Sequence, residues 1–312
     1  MTCRPRSTLP ALALLFATLG ACGNYSNEDL EFMNAVPARE DLSANIPRSM
    51  ILPANEAELS RDTHNVVKAF NGALDFLTAA DTIRAYQPTT RIPDGRIWGP
   101  VPMADHLGWQ WRFRMTRDPS APETFNYAFE IERIGGSESE WIAFIHGDFT
   151  STGGARRGTG HFVMEADGLR NAGYLIQPDG DGNWFKSLSV SYSTADYPIN
   201  VMMMLVLYPK GDVTNMIGIM YTYEQQSNGQ GAMAFSGTDS TTGRSLQITS
   251  RWLASGRGRA DATGQDGLGN QATWTECWND SFVSVYDNKP WATPPEPVTS
   301  GDPSFCPDIP TL

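Results

Sequence analysis

Apolar residues alternate with polar residues over long stretches of this chain, and that alternation limits the possible folds more than any other feature of the sequence. Every second residue is large and apolar from Trp109 to Met115 and again from Phe125 to Ile131. A period of two is typical of β-strands that bury one face. We therefore expect half-buried antiparallel strands from Trp98 to about Tyr286.

Further strand-like runs follow at short intervals, separated by turn formers such as Gly153-Gly154 and Ser255-Gly256. No stretch between them resembles a crossover helix, so consecutive strands should pair antiparallel. The sequence predicts a mainly β fold, a long curled antiparallel meander or partly closed β-barrel of about eleven strands. Beyond the first two strands, the runs are 140–149, 158–165, 184–193, 199–208, 216–223, 231–236, 245–253, 258–263 and 272–278.

One amphipathic helix precedes the strands. From about Glu56 to Ile83, apolar residues recur at steps of three and four, and Gly72 is the weak point of the pattern. The apolar stripe has to be buried, so this N-terminal helix should pack on the sheet. Its apolar positions are Leu59, Val66, Val67, Phe70, Leu74 and Leu77.

The N-terminus has the pattern of a secretion signal. Arg4 and Arg6 precede a Leu-rich run that is too short to span a bilayer, and the run ends in Leu19-Gly20-Ala21-Cys22. This ending resembles the lipobox of bacterial lipoproteins. The resemblance implies a signal peptide over 1–21 and diacylation of Cys22 with fatty acids such as palmitate. Gly23 after the lipidated cysteine implies anchoring in the outer membrane, and the pattern does not distinguish its periplasmic side from its surface side.

The other cysteines suggest a disulfide. Cys3 would leave with the signal and Cys22 would carry lipid, so Cys277 and Cys306 remain as a pair in an oxidising compartment. We predict a bridge between them; two buried reduced thiols are the alternative.

The mature chain divides into three parts. Residues 22–54 are polar, acidic and interrupted by proline, which is typical of a flexible tether. Residues 55–287 should form one domain of helix and β-sheet, and the disulfide should hold the Pro-rich tail 288–312.

The net charge of −12 argues against nucleic acid as a partner, because an acidic surface repels phosphate. After the signal no apolar run reaches the length of a membrane helix, so membrane contact should be through the lipid.

Several short motifs follow the helix in this order: Trp98-Gly99-Pro100, Trp111-Arg112, Tyr127-Ala128-Phe129-Glu130, Gly158-Thr159-Gly160, Ser250-Arg251-Trp252, Gly258-Arg259-Ala260-Asp261 and Glu276-Cys277-Trp278. This order resembles a group of predicted Gram-negative lipoproteins without an assigned function. The likeness covers most of the chain and implies boundaries and fold, without an activity. In layout, the chain is also similar to lipoprotein carriers that hold acyl chains in an unclosed barrel.

Methionines mark a candidate ligand site. The run from Val201 to Leu207 is apolar on both strand faces, so one face should meet the helix and the other a cavity or second layer. Methionine is common on adaptable apolar binding surfaces, which favours a lipid-like ligand; filling of an irregular core is the alternative. The candidate residues are Met202, Met203, Met204, Met216 and Met220.

A hairpin offers the best polar site. A two-residue turn at Gly153-Gly154 would set His146 opposite His161, on one face with Asp148. Two imidazoles and a carboxylate suit zinc with a bound water, so a metal-dependent hydrolase is one hypothesis; a solvated histidine pair is the other.

Other chemical patterns are weaker. Asp179, Asp181 and Asn183 begin like a calcium loop, but Trp184 replaces its glycine and Val190 its last carboxylate. No nucleophile elbow or phosphate loop is present in the sequence, and carboxylates on strands are usually solvated.

We therefore expect a non-enzymatic binding module for an apolar or amphipathic ligand, with no cofactor besides the lipid on Cys22. A surface or scaffold lipoprotein that contacts proteins or glycans is the alternative, and a hydrolase is the third hypothesis.

Overall fold

A single antiparallel sheet forms most of the protein. In a computed structural model that describes residues 25–47, 55–78, 86–175, 183–209, 212–293 and 296–309, fifteen strands follow one another in the sheet in the order of the chain. The first and last strands lie at opposite edges, so the sheet is not closed, and it has more strands than the eleven predicted. The meander itself is confirmed. The strands are β1 Thr90–Ile92, β2 Gly95–Pro102, β3 Trp109–Asp118, β4 Ala121–Arg133, β5 Ile142–Ser151, β6 Gly158–Glu165, β7 Trp184–Ser193, β8 Ile199–Tyr208, β9 Ile217–Gln225, β10 Gly231–Asp239, β11 Arg244–Trp252, β12 Gly258–Gln265, β13 Gln271–Trp278, β14 Ser284–Asn288 and β15 Thr299–Gly301.

Four strands were missing from the predicted eleven: β1, β2, β14 and β15. Three of them are short and have too few residues for a period to be visible. Strand β2 is interrupted at Gly99, where the pairing with β3 shifts register between Trp98 and Val101. The φ angle of Gly99 is 101°, and a Cβ there would lie 2.7 Å from the carbonyl oxygen of Trp111, so only glycine fits.

Helix α3, Glu58–Ala73, is the predicted amphipathic helix. It ends just after Gly72, and a 3₁₀ turn at Asp75–Leu77 continues it, so the helix is shorter than the predicted span. Gly72 weakens the last turn, and the N–H of Leu74 donates to the carbonyl of Asn71, three residues back, so the regular α-helical hydrogen bonding ends there. Residues 79–85 lie outside the described part of the chain.

The segment 25–47, expected to belong to a flexible tether, is part of the folded domain. It contains helices α1, Asn27–Asn34, and α2, Arg39–Leu42, and the side chains of Phe32 and Leu42 are fully buried in the main core. The polar, Pro-rich composition of this segment gave no indication that Phe32 and Leu42 are buried. Residues 1–24, with the predicted signal and Cys22, and residues 48–54 lie outside the described residues.

The sheet has an inner face, which carries the aromatic core, and an outer face. The inner face contributes Trp98, Phe113, Val190, Met203 and Trp252 to the main core cluster, and the three N-terminal helices pack on it. On α3, the ring of Phe70 lies 5.9 Å from that of Tyr221 and 6.1 Å from that of Tyr223, measured between ring centroids. A fourth helix, α4 Asp167–Asn171, buries Leu169 against Trp109 and Ile131.

The C-terminal tail is joined to the sheet as predicted. A disulfide links Cys277 on β13 to Cys306. Strand β15 also pairs with β14, so part of the tail extends the sheet. The ammonium group of Lys289, which is 4 % exposed, donates to Glu58 of α3 and to Glu296, each at 3.1 Å.

From the alternation and a turn within 117–124, the sequence predicts that Arg112 lies opposite Glu132 and Arg114 opposite Glu130, as a charge ladder in water. In the structure Arg112 instead pairs with Glu130, its Nε donates to Glu130 at 2.6 Å, and the pair is largely buried. The loop after β4 covers the pair, since Trp141 lies 4.1 Å from the guanidinium and Glu138 binds it. Arg112 and Glu130 are 8 % and 5 % exposed.

Within the described residues, no helix is both long enough and apolar enough to cross a bilayer.

Candidate functional site

The inner face is not completely covered, and its open part forms a groove. We call this depression the β9–β13 groove. It has a volume of about 620 Å³, within the range of ligand pockets. Ile217, Ile219 and Phe235 are half-buried there, and Leu246 is 43 % exposed. The remaining lining residues are Gly237, Thr238, Asp239, Arg244, Ser245, Gly264, Gln265, Asp266, Asn270, Gln271 and Ala272.

The position of α3 explains why the groove stays open. Its N-terminal end packs Leu59 among Ala260, Ala262 and Trp278, at the opposite end of β12 and β13. From there the helix crosses toward Tyr221, and within the described part of the chain no helix residue lines the strand ends that carry Leu246.

A row of small residues gives the groove its depth. Leu246 pairs with Gly237 on one side and Gly264 on the other, and Gly264 pairs with Ala272. A Cβ built on Gly264 would have no heavy atom within 4 Å, so the glycine leaves open space. The floor is therefore low on β12 and β13 and at Gly237 of β10, on both sides of Leu246, and the larger apolar side chains of β9 and β10 form a wall.

Polar side chains form the rim where the strands end. Asp239 pairs with Arg244 across β10 and β11, and Gln265 pairs with Gln271 across β12 and β13. In the turn between β12 and β13, hydrogen bonds from the side chain and backbone of Asn270 lower the pKa of Asp266. The site thus combines an apolar floor with a charged and amide-bearing edge, an arrangement that suits an amphipathic molecule.

Buried polar contacts hold the helices beside the groove. Glu276 of β13 accepts a hydrogen bond of 2.6 Å from the backbone N–H of Leu59, and the hydroxyls of Thr63 and Ser250 lie 2.6 Å apart. The hydroxyl of Tyr223 accepts from the N–H of Asn45 at 2.9 Å, and burial raises its pKa to about 12. These contacts attach α3 and the segment at Asn45 to the inner face of the sheet.

The methionines predicted to bind ligand divide between the two faces of the sheet. Met203 is fully buried in the core, whereas Met202, Met204 and Met220 point outward and are 49 %, 51 % and 44 % exposed. Met216 is also exposed, and its sulfur lies 3.2 Å from the ammonium of Lys186. The five residues therefore do not line one cavity, and none of them lines the β9–β13 groove.

The predicted histidine hairpin has a different register. Asp148, not His146, pairs with His161, because the strands end at Ser151 and Gly158 and enclose a loop longer than two residues. A two-residue shift keeps all three side chains on the outer face, where they line a shallow polar pocket of about 320 Å³. The imidazole Nδ1 of His161 lies 4.0 Å from Asp148. No group of three His, Cys, Asp or Glu residues in the described part of the chain could hold a metal ion.

Asp179 and Asp181 of the weak calcium pattern lie outside the described residues. The sequence analysis did not identify the groove residues, although the sequence contains a pattern that indicates them. Alternation in β9 and β10 places Ile217, Ile219 and Phe235 on the inner face, and glycines recur at inward positions of the neighbouring strands. Apolar positions opposite glycines can mark a depression in a sheet.

Comparisons with protein-family models, with curated proteins and with solved structures find no significant match.

Proposed function

We propose that this protein is a lipid-anchored protein of the bacterial cell envelope, held in the outer membrane through Cys22, and that it binds an amphipathic lipid without catalysing a reaction. The acyl chain of the lipid would lie in the β9–β13 groove. The polar part would lie at the rim.

The open apolar floor of the groove carries this proposal. Exposed apolar surface is unfavourable in water, and a contiguous apolar depression with a polar edge often marks a ligand site. Leu246 and Ala272 are exposed at the floor, while Asp239 and Arg244 offer charges of both signs at the edge. An acyl chain with a polar headgroup matches both parts.

The anchor rests on the sequence pattern around Cys22. In Gram-negative cells that express the protein, wild type should incorporate labelled palmitate and fractionate with the outer membrane. Cys22→Ser should incorporate no label and remain soluble. Membrane retention of Cys22→Ser would contradict the anchor and leave the groove proposal untouched.

Two glycine substitutions test the groove. Gly264→Leu should fill it, because a side chain there meets open space on the inner face. Gly218→Leu is the matched control: Gly218 lies in β9 on the outer face, and its Cβ would also have no heavy atom within 4 Å. Both substitutions place a better strand former in a strand, so the fold should be kept.

The measurement is titration of the soluble Cys22→Ser protein with a fatty acid that carries a terminal dansyl group, supported by native mass spectrometry of protein purified without detergent. We expect saturable binding by the parent and by the Gly218→Leu control. Gly264→Leu should bind at least about tenfold more weakly, a loss of about 1.4 kcal/mol. Absence of binding by the parent, or equal binding by Gly264→Leu, would overturn the groove proposal and favour a scaffold that acts through protein or glycan contacts.

A further inference from the structure

We propose that the outer face of the sheet binds one soft monovalent metal ion, Cu(I) or its close analogue Ag(I), through the thioether sulfurs of Met202, Met204 and Met220. We call these three residues the methionine ridge. The site is independent of the groove, which lies on the inner face.

Strand register brings the three side chains together. Met204 of β8 is directly opposite Met220 of β9, and Met202 is opposite Thr222, two residues from Met220. Directly opposed Cβ atoms in an antiparallel pair lie about 4.5–5.5 Å apart, and diagonal neighbours about 7–8 Å. Met202 and Met204 share a face because they are two residues apart in one strand. Three flexible side chains can therefore turn their sulfurs toward a common point.

The methionine ridge is apolar, yet its side chains are about half exposed to solvent. Between the ridge methionines on β8, Met203 is fully buried, so the strand places one methionine in the core and two in solvent. Side chains of this length at 49 %, 51 % and 44 % exposure have few packing partners. Their sulfurs are therefore accessible to an ion from solvent.

The surroundings suit a cation. The cross-strand neighbours of the ridge are Ser189 and Ser191 on β7 and Ser236 on β10, which are short and uncharged. Glu224 lies two residues beyond Thr222 and points to the same face, so the nearest charge along β9 is negative.

Ligand chemistry selects the ion. Thioethers are soft ligands, and soft ligands favour Cu(I) over hard ions such as Mg²⁺ or Ca²⁺. Cys277 and Cys306 are joined in the disulfide and do not compete as thiolates. The three sulfurs are neutral, and Glu224, the diagonal cross-strand neighbour of Met202, supplies a negative charge on the same face.

Met216 provides a matched negative control. It is similarly exposed, but it precedes β9 and lies four residues from Met220, about 13 Å along an extended chain. Its sulfur also faces the ammonium of Lys186 at 3.2 Å, which would repel a cation.

Leucine substitutions separate metal binding from simple apolar contact. The triple variant Met202→Leu/Met204→Leu/Met220→Leu keeps the volume and apolarity of the ridge and removes the three sulfurs. The exposed positions make the variant stable, which a thermal melt should verify. A double variant, His146→Ala/His161→Ala, removes the imidazoles as alternative ligands.

The test is native mass spectrometry of the Cys22→Ser protein with Ag(I) in chloride-free buffer, and competition for Cu(I) against bicinchoninate under anaerobic conditions with ascorbate, which keeps copper as Cu(I) and leaves the disulfide intact. We expect one ion per chain for the parent, for Met216→Leu and for the histidine double variant. The triple leucine variant should bind at least about tenfold more weakly. No stoichiometric ion on the parent would overturn the proposal. Equal affinity of the triple variant would do so as well, and loss of the ion in the histidine variant would assign it to the polar pocket instead.

Discussion

Glu276 on strand β13 accepts a hydrogen bond of 2.6 Å from the backbone N–H of Leu59 in the first turn of α3. The helix has no side-chain cap of its own, since the preceding residue is Ala57. The sheet therefore caps the helix, and the same carboxylate fixes where α3 begins on the inner face.

The loss of this cap should destabilise the protein. Glu276→Ala would leave the buried N–H of Leu59 without its acceptor, which costs about 1–3 kcal/mol. Glu276→Gln keeps a carbonyl oxygen in place and should cost clearly less. Urea unfolding followed by circular dichroism measures both, and equal losses for the two variants would show that the hydrogen bond is not what matters.

Stability should also depend on pH through Glu276. Burial raises its pKa above the ordinary value of 4.5, so the folded state binds this proton more tightly than the unfolded state does. The contribution of this group therefore decreases as pH rises from 4.5 through the folded pKa. As pH falls from 7 toward 4.5, the parent should gain stability relative to Glu276→Gln; a difference that is constant with pH would contradict the assignment.

Asp29 should be one of the most sensitive positions in the N-terminal segment. Its fully buried carboxylate accepts hydrogen bonds from the backbone N–H of Ser26, the N-cap of α1, and from Arg91 and Arg96, the latter 2 % exposed. Asp29→Asn removes the buried charge partner of Arg96 and leaves the guanidinium paired only with Glu28, whose side chain is 47 % exposed, so we expect a loss of about 2–3 kcal/mol. The control is Glu31→Gln, whose ion pair with Arg117 involves a carboxylate that is 57 % exposed; it should change stability by less than about 1 kcal/mol.

The pH dependence of Asp29 has the opposite sign. Burial raises its pKa, but the hydrogen bonds from Arg91 and Arg96 outweigh burial and leave the pKa well below 3.8. Its contribution is complete above the unfolded value and is lost as pH falls below 3.8. Below pH 4, the free energy of unfolding should therefore fall less steeply with pH in Asp29→Asn than in the parent protein. The same pH dependence in both proteins would refute the prediction.

Reduction of the disulfide should loosen the C-terminal tail. The bridge joins residues 29 apart in sequence, and a loop of that size corresponds to about 3–4 kcal/mol in the chain-entropy model. Cys277→Ala/Cys306→Ala should lose about this much and become more susceptible to proteolysis after residue 288. Lys289 and β15 also tie the tail, so the domain should still fold; a variant with parental stability would show that these contacts suffice.

Gly72→Ala should stabilise the protein. The residue lies in α3, and a Cβ there would have no heavy atom within 4 Å. Alanine is favoured over glycine in helices by about 1 kcal/mol at interior positions, and about half of that is expected this close to the end. Chemical denaturation measures the gain; a loss of stability would indicate that the 3₁₀ turn after Gly72 needs the glycine.

Much of the sheet can be predicted from local pattern. Strands β6, β7 and β8 have the bounds that alternation and turn residues indicated, because a period of two records which face each residue buries. The pairing of Cys277 with Cys306 was also predicted, because only these two of the four cysteines remain if Cys3 leaves with the signal and Cys22 carries lipid. The short strands β1 and β15 carry no such period, and only pairing with a neighbour defines them.

The register of the strands and the position of the helices on the inner face could be learned only from the tertiary structure. Local turns did not reveal that Asp148 pairs with His161 or that Arg112 pairs with Glu130, because a shift of two residues leaves every side chain on the same face. Nor did composition reveal that Phe32 enters the core. The sequence by itself determined an antiparallel meander with an amphipathic helix, because those features depend on residues near one another in the chain. Only the tertiary structure decided where α3 crosses the sheet, and therefore which apolar surface stays open around Leu246, because that depends on contacts such as Glu276 to Leu59 between residues 217 apart.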